Sequence, residues 1–382
     1  AIKILKSKLK NSNPLALIGE HTDLETGFAI KKFMAHFGKD NIECRTDNQS
    51  ILPNLDSYRF NTPIANLEEA DLVILCGTNP KIESPIINHK IFKSYNAGTE
   101  IFNIGEDISL NYPTHYLGQT LNDLDNDLLK KNLKKATNPI LIVGSGFLNQ
   151  FNSDNTLKAL FSFASKNKII TANKNNLNFL SPHASRVGQL LLGNTTDDIC
   201  HPFTKLKKKS FDTVLSFSSE YIADTAFKES FKVYFGHHGD EGAMNADIVL
   251  PTPLYTEKNG IFINIEGRPQ EAKKCHNPIG EAKEEWKILK ELSNQLSLNF
   301  EINTFDELRA EISKDHPNLV NFHEIIDSAE KYEDQSDILF ESSPCVYPIK
   351  NFYMSDIISK NSKTMAKCVE EIISKPLLEK SA

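Results

Sequence analysis

The sequence predicts an α/β fold built on parallel β-sheets. Through the first two thirds of the chain, short apolar segments of strand length alternate with longer segments of helical periodicity, and several short segments end at glycine or another turn residue. Strands of a parallel sheet are buried on both faces, so they are nearly continuous apolar runs. The clearest strand candidates are residues 15–19, 72–77, 140–144, 169–171 and 213–217.

A helix is predicted to follow the 72–77 strand. Ser84 has a side chain typical of an N-cap, and Pro85 fits the first helical position because its missing N–H has no intrahelical partner there. The apolar side chains spaced for the buried face of this helix are Ile86, Ile87, Ile91 and Phe92.

Residues 236–270 are the most distinctive part of the sequence. Two short apolar runs, 233–235 and 248–250, flank a loop rich in Gly, His and Asp whose backbone can turn freely. Lys-Asn-Gly at 258–260 then tolerates a turn with positive φ. Beyond that turn, every second residue is isoleucine, the period of a strand with two different faces: Ile261, Ile263 and Ile265. We therefore predict a hairpin or a β-corner.

The pattern becomes helical after residue 280 and loses its apolar periodicity after about residue 315. One charged helix carries an apolar stripe that we expect to pack back onto the sheet, formed by Trp286, Ile288, Leu289, Leu292 and Leu296. The last segment is predicted to be an extended arm with a C-terminal helical hairpin or short helix near 355–373, because alone it buries too little surface to order itself. The predicted domains are 1–136, 137–315 with a β-corner at 246–270, and 316–382.

The composition is that of a globular chain without an excess of basic residues. Its 382 residues, 40% of them hydrophobic, are enough to bury sizeable cores. The formal net charge of -7 argues against nucleic-acid binding, which needs clustered lysine and arginine. We interpret the one dense basic run, 205–209, as a solvated loop. No apolar run approaches the roughly 20 residues that cross a bilayer, so we expect no direct membrane insertion.

The six cysteines are spread too widely for a usual cluster motif. They are Cys44, Cys76, Cys200, Cys275, Cys345 and Cys368, and the shortest gap between neighbours is 23 positions (368 minus 345). Iron–sulfur clusters and structural zinc sites usually rely on spacings of the C-x2-C type. We therefore interpret most of these thiols as reduced packing residues and predict no metal ligands among them.

Two glycine turns could hold a phosphate without completing a nucleotide motif. Gly144-Ser145-Gly146 follows a strand, but Asn149 stands where the third glycine of G-x-G-x-x-G would be. Residues 77–80, Gly-Thr-Asn-Pro, are similarly ambiguous. We favour a plain βα turn for both segments and predict no cofactor-binding residue.

Three other groups of residues could carry chemistry. His237, His238 and Asp240 have side chains that suit zinc or iron, but adjacent side chains in extended backbone point to opposite faces, so we favour histidines hydrogen-bonded to backbone. Cys275 and His276 are the only neighbouring thiol and imidazole, and their divergence disfavours a catalytic pair.

The third group is charged and lies within the predicted corner: Glu257, Lys258, Glu266 and Arg268. It could be a catalytic set or a set of ion pairs that fixes the corner, and we favour the ion pairs because an Arg–carboxylate pair orders irregular backbone without a substrate. We therefore predict no catalytic residue and no metal-binding residue in this chain.

Several motifs resemble the molybdopterin-oxidoreductase superfamily. An Ala-Asp strand that ends in Leu-Pro occupies 246–251, Glu-Lys-Asn-Gly occupies 257–260, and Asn-Ile-Glu-Gly-Arg-Pro-Gln occupies 264–270. The Gly-His-His-Gly-Asp loop at 236–240 resembles one branch in particular, the largest iron–sulfur subunit of respiratory complex I, or G subunit.

Further segments resemble the same branch. They are Glu-Ala-Asp-Leu-Val-Ile-Leu-Cys-Gly-Thr-Asn-Pro at 69–80 and, near the end of the chain, Phe-Tyr-Met-Ser-Asp at 352–356 with Thr-Met-Ala-Lys-Cys at 364–368. The resemblance extends from about Asp47 onward. It implies two interleaved α/β halves, whose sequence boundaries need not match compact units.

The resemblance also implies a role for the chain. We expect a structural, non-catalytic and cofactor-free portion of the G subunit, within the hydrophilic arm that carries electrons from NADH to ubiquinone. Its expected partners are the N-terminal half that carries the iron–sulfur clusters and other hydrophilic-arm subunits. The expected location is the matrix side of the mitochondrial inner membrane or, alternatively, the cytoplasmic face of a bacterial plasma membrane.

One alternative function belongs to a different class. The chain could be a fragment of a working molybdenum or tungsten bis-pterin oxidoreductase, with the cofactor near the loops at 77–80, 144–146 and 236–240.

Overall fold

Two five-stranded parallel sheets form the framework of the chain in a computed structural model that describes residues 1–38, 41–327, 340 and 343–375. The strands are β1 Pro14–Ile18, β2 Ile42–Glu43, β3 Leu72–Cys76, β4 Glu100–Ile104, β5 His115–Gly118, β6 Pro139–Val143, β7 Ile170–Thr171, β8 Lys174–Asn175, β9 Leu177–Phe179, β10 Thr213–Phe217, β11 Phe231–Gly236, β12 Ile248–Pro251, β13 Gly260–Ile263 and β14 Pro269–Ala272.

Helices connect these strands and cover both sheets. The α-helices are α1 Ile2–Leu9, α2 Leu24–Met34, α3 Pro80–Glu83, α4 Pro85–Asn96, α5 Asp127–Leu133, α6 Ser145–Leu148, α7 Asp154–Lys166, α8 Arg186–Leu191, α9 Pro202–Leu206, α10 Glu241–Met244, α11 Glu285–Leu296, α12 Phe305–Asp315, α13 Ile357–Lys360 and α14 Lys363–Cys368. Short 3-10 turns occur at Leu55–Ser57, Ile64–Glu69, Leu121–Asp125, Glu220–Ala223, Thr225–Phe227, Pro317–Val320 and Phe352–Met354, and a π-helical turn at Val369–Ser374.

The strand order confirms the predicted α/β fold. The first sheet has the order β12-β11-β10-β1-β2, the second has the order β5-β4-β3-β6-β9, and all neighbouring strands within both sheets are parallel. Four of the five strand candidates are β1, β3, β6 and β10 to within a residue or two at their ends.

The fifth strand candidate, 169–171, is wrong as a strand of a parallel sheet. Ile170–Thr171 instead pairs antiparallel with Lys174–Asn175, because the chain turns back on itself at 172–173 before it reaches the sheet. The edge strand that pairs with β6 is β9, Leu177–Phe179, a few residues further along.

The second sheet is nested within the first along the sequence. The first sheet takes β1 and β2 from the beginning of the chain and β10 to β12 from residues 213–251, while every strand of the second sheet lies between residues 72 and 179. The boundary predicted at 136/137 therefore does not separate the two sheets, since β3 and β6 lie on opposite sides of it and pair over their full length.

The central strands of each sheet are buried on both faces, as the apolar runs predicted, while the edge strands β5 and β12 are partly exposed. In β1, Ala16 and Ile18 pack into one core while Leu15 and Leu17 pack into another. The strands of the second sheet alternate in the same way between two cores. This period of two, with both faces apolar, explains why the sequence of these strands has no polar side.

Helix α11 buries the face that its sequence predicts, but α4 does so only in part. Trp286, Leu289 and Leu292 lie in the same core as α1 and α2, which α11 contacts directly, so this helix packs on helices that cover the first sheet. In α4, Ile87 and Ile91 are buried while Ile86 is 70% exposed.

Within the described ranges, no helix is long and apolar enough to cross a membrane.

The predicted hairpin is formed by β13 and β14, which pair antiparallel. Its turn lies at 264–268 rather than 258–260: Gly267, with φ of 87°, donates its N–H to the Asn264 carbonyl. Gly260 does not have a positive φ. It is required instead for close approach, because a Cβ there would lie 2.8 Å from Cβ of Asp23.

The C-terminal arm, as far as it is described, runs across the carboxyl ends of both sheets. The helix predicted near 355–373 is divided into α13, α14 and the π-helical turn, with a break at 361–362. The parts of the predicted arm at 328–339, 341–342 and 376–382 lie outside the described residues.

Gly77 offers a test of how closely β3 and β6 pack at their carboxyl ends. Its φ is 59°, and an added Cβ would lie 2.5 Å from the ring of Phe147. Gly77→Ala should therefore lower the free energy of unfolding by about 1–3 kcal/mol, measured by urea titration. Gly239→Ala is the matched control, since no atom lies within 4 Å of the added Cβ. Equal stability of the two variants would contradict this packing.

Candidate functional site at the carboxyl edges of the sheets

The carboxyl ends of both sheets face one cavity. In open parallel sheets, ligands bind outside the carboxyl ends at the point where strand order reverses. That point lies between β1 and β10 in the first sheet and between β3 and β6 in the second. Loops from both points line a cavity of about 290 Å³, whose polar lining includes Glu20, Asp47, Glu83, Ser145, His183 and Asp356.

Glu83 lies beside the turn that sequence analysis weighed as a phosphate site. The Ser145 N–H, at the start of α6, donates to Glu83 Oε1 at 2.9 Å, and Thr78 Oγ1 donates to Glu83 Oε2 at 2.7 Å. Burial raises the pKa of Glu83, although these hydrogen bonds oppose the change. The Glu83 carboxyl group thus accepts hydrogen bonds from both glycine turns, as a bound phosphate would.

A buried ion-pair network forms another wall of the cavity. His183 Nε2 lies 3.1 Å from Asp47 Oδ2, and His183 Nδ1 lies 3.2 Å from Glu20 Oε1. Arg186 Nη2 contacts the other oxygen of Asp47 at 2.9 Å. Burial and Arg186 lower the pKa of His183, but Asp47 and Glu20 outweigh them and raise it to about 9. Arg186 and His183 in turn hold the pKa of Asp47 far below its usual range despite burial.

No pattern in the sequence indicates this network. Asp47 and His183 are 136 residues apart, so no local spacing connects them. His183 follows β9, and polar residues after a parallel strand are a usable signal, but the strand had been predicted at 169–171 instead of 177–179.

Lys258 is the centre of a second buried network, at the N-terminus of α2. Its Nζ lies 2.6 Å from Asp23 Oδ2 and 2.6 Å from Glu285 Oε2, and its side chain is 7% exposed. Asp23 also caps α2 by accepting from the Thr26 N–H. Glu285 begins α11. Lys258 therefore joins two helix N-termini to the segment that enters the hairpin.

Glu25 extends this network to α12. Its two carboxylate oxygens accept from the Ile261 N–H at 2.8 Å and from Arg309 Nε at 2.9 Å. Burial and the neighbouring Asp23 raise the pKa of Glu25 to about 7. The carboxylates of Asp23, Glu25 and Glu285 thus all have cationic partners within the protein, and the geometry is that of a structural charge cluster.

The charged residues predicted to pair within the corner do not pair with one another. Glu257 accepts from the Leu254 N–H at 3.0 Å, and Glu266 accepts from the Ile64 N–H at 2.7 Å. Arg268 makes no ion pair within the described ranges. The expectation of ion pairs holds only for Lys258, whose partners come from distant helices that local sequence could not identify.

The side chains of the two adjacent histidines contact each other, whereas the sequence predicts that they bind the backbone. His237 Nδ1 lies 2.6 Å from His238 Nδ1, with the rings perpendicular. Burial lowers the pKa of His237 to about 4. Asp240 caps α10 and accepts from the Tyr234 hydroxyl at 2.8 Å, so each of its two oxygens has a partner other than the histidines.

The remaining candidates lie apart from the cavity. Cys275 is exposed and its thiol contacts the Lys273 carbonyl, while His276 lies 3.7 Å from Glu257. Lys205 and Lys207 of the basic run pair with aspartates, and Lys205 lies in α9 rather than in a loop. Among the described side chains, no group of three or more His, Cys, Asp or Glu residues is arranged to hold a metal ion.

Two nested parallel sheets with a shared carboxyl-edge cavity define the class of protein. The chain belongs to the molybdopterin oxidoreductase family, whose model matches residues 1–295. A second model, that of the C-terminal region of the NADH-ubiquinone oxidoreductase G subunit, matches residues 324–368, part of which lies outside the described residues.

Curated relatives agree with this second match. The chain is 34% identical over 380 residues to an NADH-quinone oxidoreductase G subunit of Rickettsia bellii, with 97% of this chain and 55% of the relative covered. It is 33% identical to a mitochondrial NADH-ubiquinone oxidoreductase 78 kDa subunit of Candida albicans, with 94% and 52% covered. The chain thus spans about half the length of the curated relatives it matches.

Among solved structures, a chain of the formyltransferase/hydrolase complex FhcABCD from Methylorubrum extorquens, in complex with methylofuran, is similar in fold. The TM-score is 0.56 with 13% sequence identity, over 78% of this chain and 95% of that chain. At this identity the similarity concerns the fold alone.

Replacing Lys258 tests the buried charge cluster. Lys258→Met leaves Asp23 and Glu285 without their shared cation, so the free energy of unfolding should fall by about 3–5 kcal/mol. Lys287→Met, which removes a half-exposed pair with Glu284, is the matched control and should cost no more than about 1 kcal/mol. Urea unfolding measures both, and a similar small loss in each variant would refute a structural role for Lys258.

The His183 network should make stability depend on pH. Because the pKa of His183 is raised from 6.5 to about 9, its contribution is complete below pH 6.5 and is lost as pH rises through 9. His183→Gln should therefore cost on the order of 3 kcal/mol more at pH 6 than at pH 9.5. The comparison variant is Gly239→Ala, which alters no ionisable group. A cost of His183→Gln that does not change with pH would contradict the assignment.

Proposed function

We propose that this chain is the structural, cofactor-free portion of the large iron–sulfur subunit, the G subunit, in the hydrophilic arm of respiratory complex I, where it supports electron transfer from NADH to ubiquinone. The observation that carries the proposal is similarity to subunits of that name along 97% of the chain, together with the match of its C-terminal segment to the G-subunit model. The chain itself is proposed to be non-catalytic.

The carboxyl edge does not fit the pterin cofactor that the family name implies. The Glu83 side chain already accepts the hydrogen bond of the Ser145 N–H, so this donor is not free for a phosphate. Tyr347, which belongs to the C-terminal arm, also contacts Glu83: its hydroxyl lies 3.1 Å from Glu83 Oε2. Pro348, Ile349 and Phe352 of the same arm line the cavity of about 290 Å³ that remains at this edge.

The redox centres are proposed to lie on the rest of the subunit. The relatives are nearly twice as long as this chain. We propose that the iron–sulfur clusters belong to the part of them that this chain does not match, and that this part and other hydrophilic-arm subunits are its partners. A peripheral position on the matrix side of the mitochondrial inner membrane is proposed, with the cytoplasmic face of a bacterial plasma membrane as the alternative.

Purification of the tagged chain from its native cells tests this function. The chain should co-purify with other complex I subunits and with NADH oxidation activity, and its depletion should reduce the assembled complex. Lys258→Met should reduce assembly and Lys287→Met should not, because only the first removes a buried cation. Recovery of the wild-type chain as a monomer without complex I subunits would contradict the proposal.

Elemental analysis separates the proposal from the molybdenum or tungsten alternative. The purified chain should contain both metals at background level. A stoichiometric amount of either metal would favour the bis-pterin oxidoreductase, for which neither the relatives' names nor the filled carboxyl edge provides support.

A further inference from the structure

The C-terminal arm makes its closest contacts at the edge where a parallel sheet usually binds a ligand. Residues 343–360, here called the strap, pass first over the loops that follow β3 to β6 and then over those that follow β1 and β10. The reversal points of both sheets are therefore beneath one continuous segment of the same chain.

Cys345 fits a hollow formed by glycines of the second sheet. A Cβ added to Gly146 would lie 2.6 Å from Cys345 Sγ, and one added to Gly105 would lie 3.2 Å from it. The Cys345 N–H also donates to the Gln119 carbonyl at 2.8 Å. These loops follow three different strands, so the thiol fills a space that depends on glycine in two of them.

Tyr347 binds the loop between β3 and α3 as a ligand would. Its hydroxyl accepts from the Asn79 N–H at 2.6 Å and lies 3.0 Å from the Asn79 carbonyl and 3.1 Å from Glu83 Oε2. Its own N–H donates to Glu106 Oε1 at 2.8 Å. Tyr347 is only 5% exposed, so these hydrogen bonds are made in a buried environment.

The strap then reaches the first sheet. Pro348, Ile349 and Phe352 line the central cavity, and Lys360 pairs with Glu220 after β10 at 2.5 Å. One segment thus contacts the reversal points of both sheets, a role that a large ligand has when it binds across two such halves.

We propose that the strap is a built-in substitute for a ligand: Cys345 and Tyr347 occupy the carboxyl edge of the second sheet, and the rest of the segment continues over the carboxyl edge of the first. This inference rests on the proposed cofactor-free function and explains what stabilises the two edges without a cofactor. Because the substitute is covalently part of the chain, it acts at a high effective concentration and does not dissociate.

Thiol labelling of the full chain tests the proposal. In a Cys275→Ser, Cys368→Ser background, the four remaining cysteines are buried. Burial raises the pKa of Cys345 to about 11, so both access and reactivity are low while the strap is bound. Tyr347→Ala should raise the alkylation rate of Cys345 at least about tenfold. Cys44 and Cys200, read by mass spectrometry of the same samples, should keep their wild-type rates.

Matched variants make the result specific. Tyr347→Phe removes only the hydroxyl and should give a smaller increase. Tyr112→Phe removes another buried tyrosine hydroxyl, bonded to Asn88 at 2.7 Å, and should leave Cys345 unchanged. If Tyr347→Ala exposes Cys44 and Cys200 as much as Cys345, the segment is part of the core and not a separable occupant, which would overturn the proposal.

Two further outcomes bear on the same inference. Rapid labelling of Cys345 in the background protein would overturn it, because the edge would then be open. Inorganic pyrophosphate should not change the labelling rate, and an increase would make the strap a displaceable lid over a phosphate site instead. These measurements use the isolated chain, so their failure is distinct from a failure to assemble with complex I.

Discussion

The structure depends on the single cation of Lys258, which pairs with two carboxylates at the N-termini of different helices. Asp23 caps α2, Glu285 begins α11, and the segment that carries Lys258 leads directly into the β13–β14 hairpin. Asp23 lies 235 positions (258 minus 23) before Lys258, and Glu285 lies 27 positions after it. Each of the three places a polar group where burial would be costly without the others. The cluster therefore fixes how the hairpin and α11 sit on α2, and through α2 on the first sheet.

Local patterns in the sequence predicted the elements but not their partners. Apolar runs such as 72–77 are strands because both faces are buried, and the isoleucine alternation after Gly260 is a hairpin strand, so both could be read from period alone. The turn of that hairpin was predicted too early, since Gly260 is needed for contact with Asp23 and not for its own φ. The pairing of Asp47 with His183 joins residues 136 positions apart, and no periodicity encodes such a contact.

The carboxyl edges illustrate the difference between inheriting a fold and inheriting its site. Glycines at 77, 105, 144 and 146 retain the tight turns that a ligand-binding edge requires, yet a carboxylate and a tyrosine hydroxyl of the same chain satisfy the polar groups there. From sequence, the glycines are visible and Glu83 is not, because its role depends on where α3 directs its side chain. The motifs alone therefore do not show whether the two turns bind a phosphate. The hydrogen bonds in the structure show which groups of the chain lie there instead.

The nesting of one sheet inside the other has a consequence for synthesis on the ribosome. All strands of the second sheet are complete once residue 179 has emerged, so that half can assemble early from segments close together in the chain. β1, in contrast, must wait for β10, with 199 positions between paired residues such as Pro14 and Thr213. Until then the N–H and C=O groups along that edge of β1 have no strand partner, and such an unpaired edge is prone to aggregation.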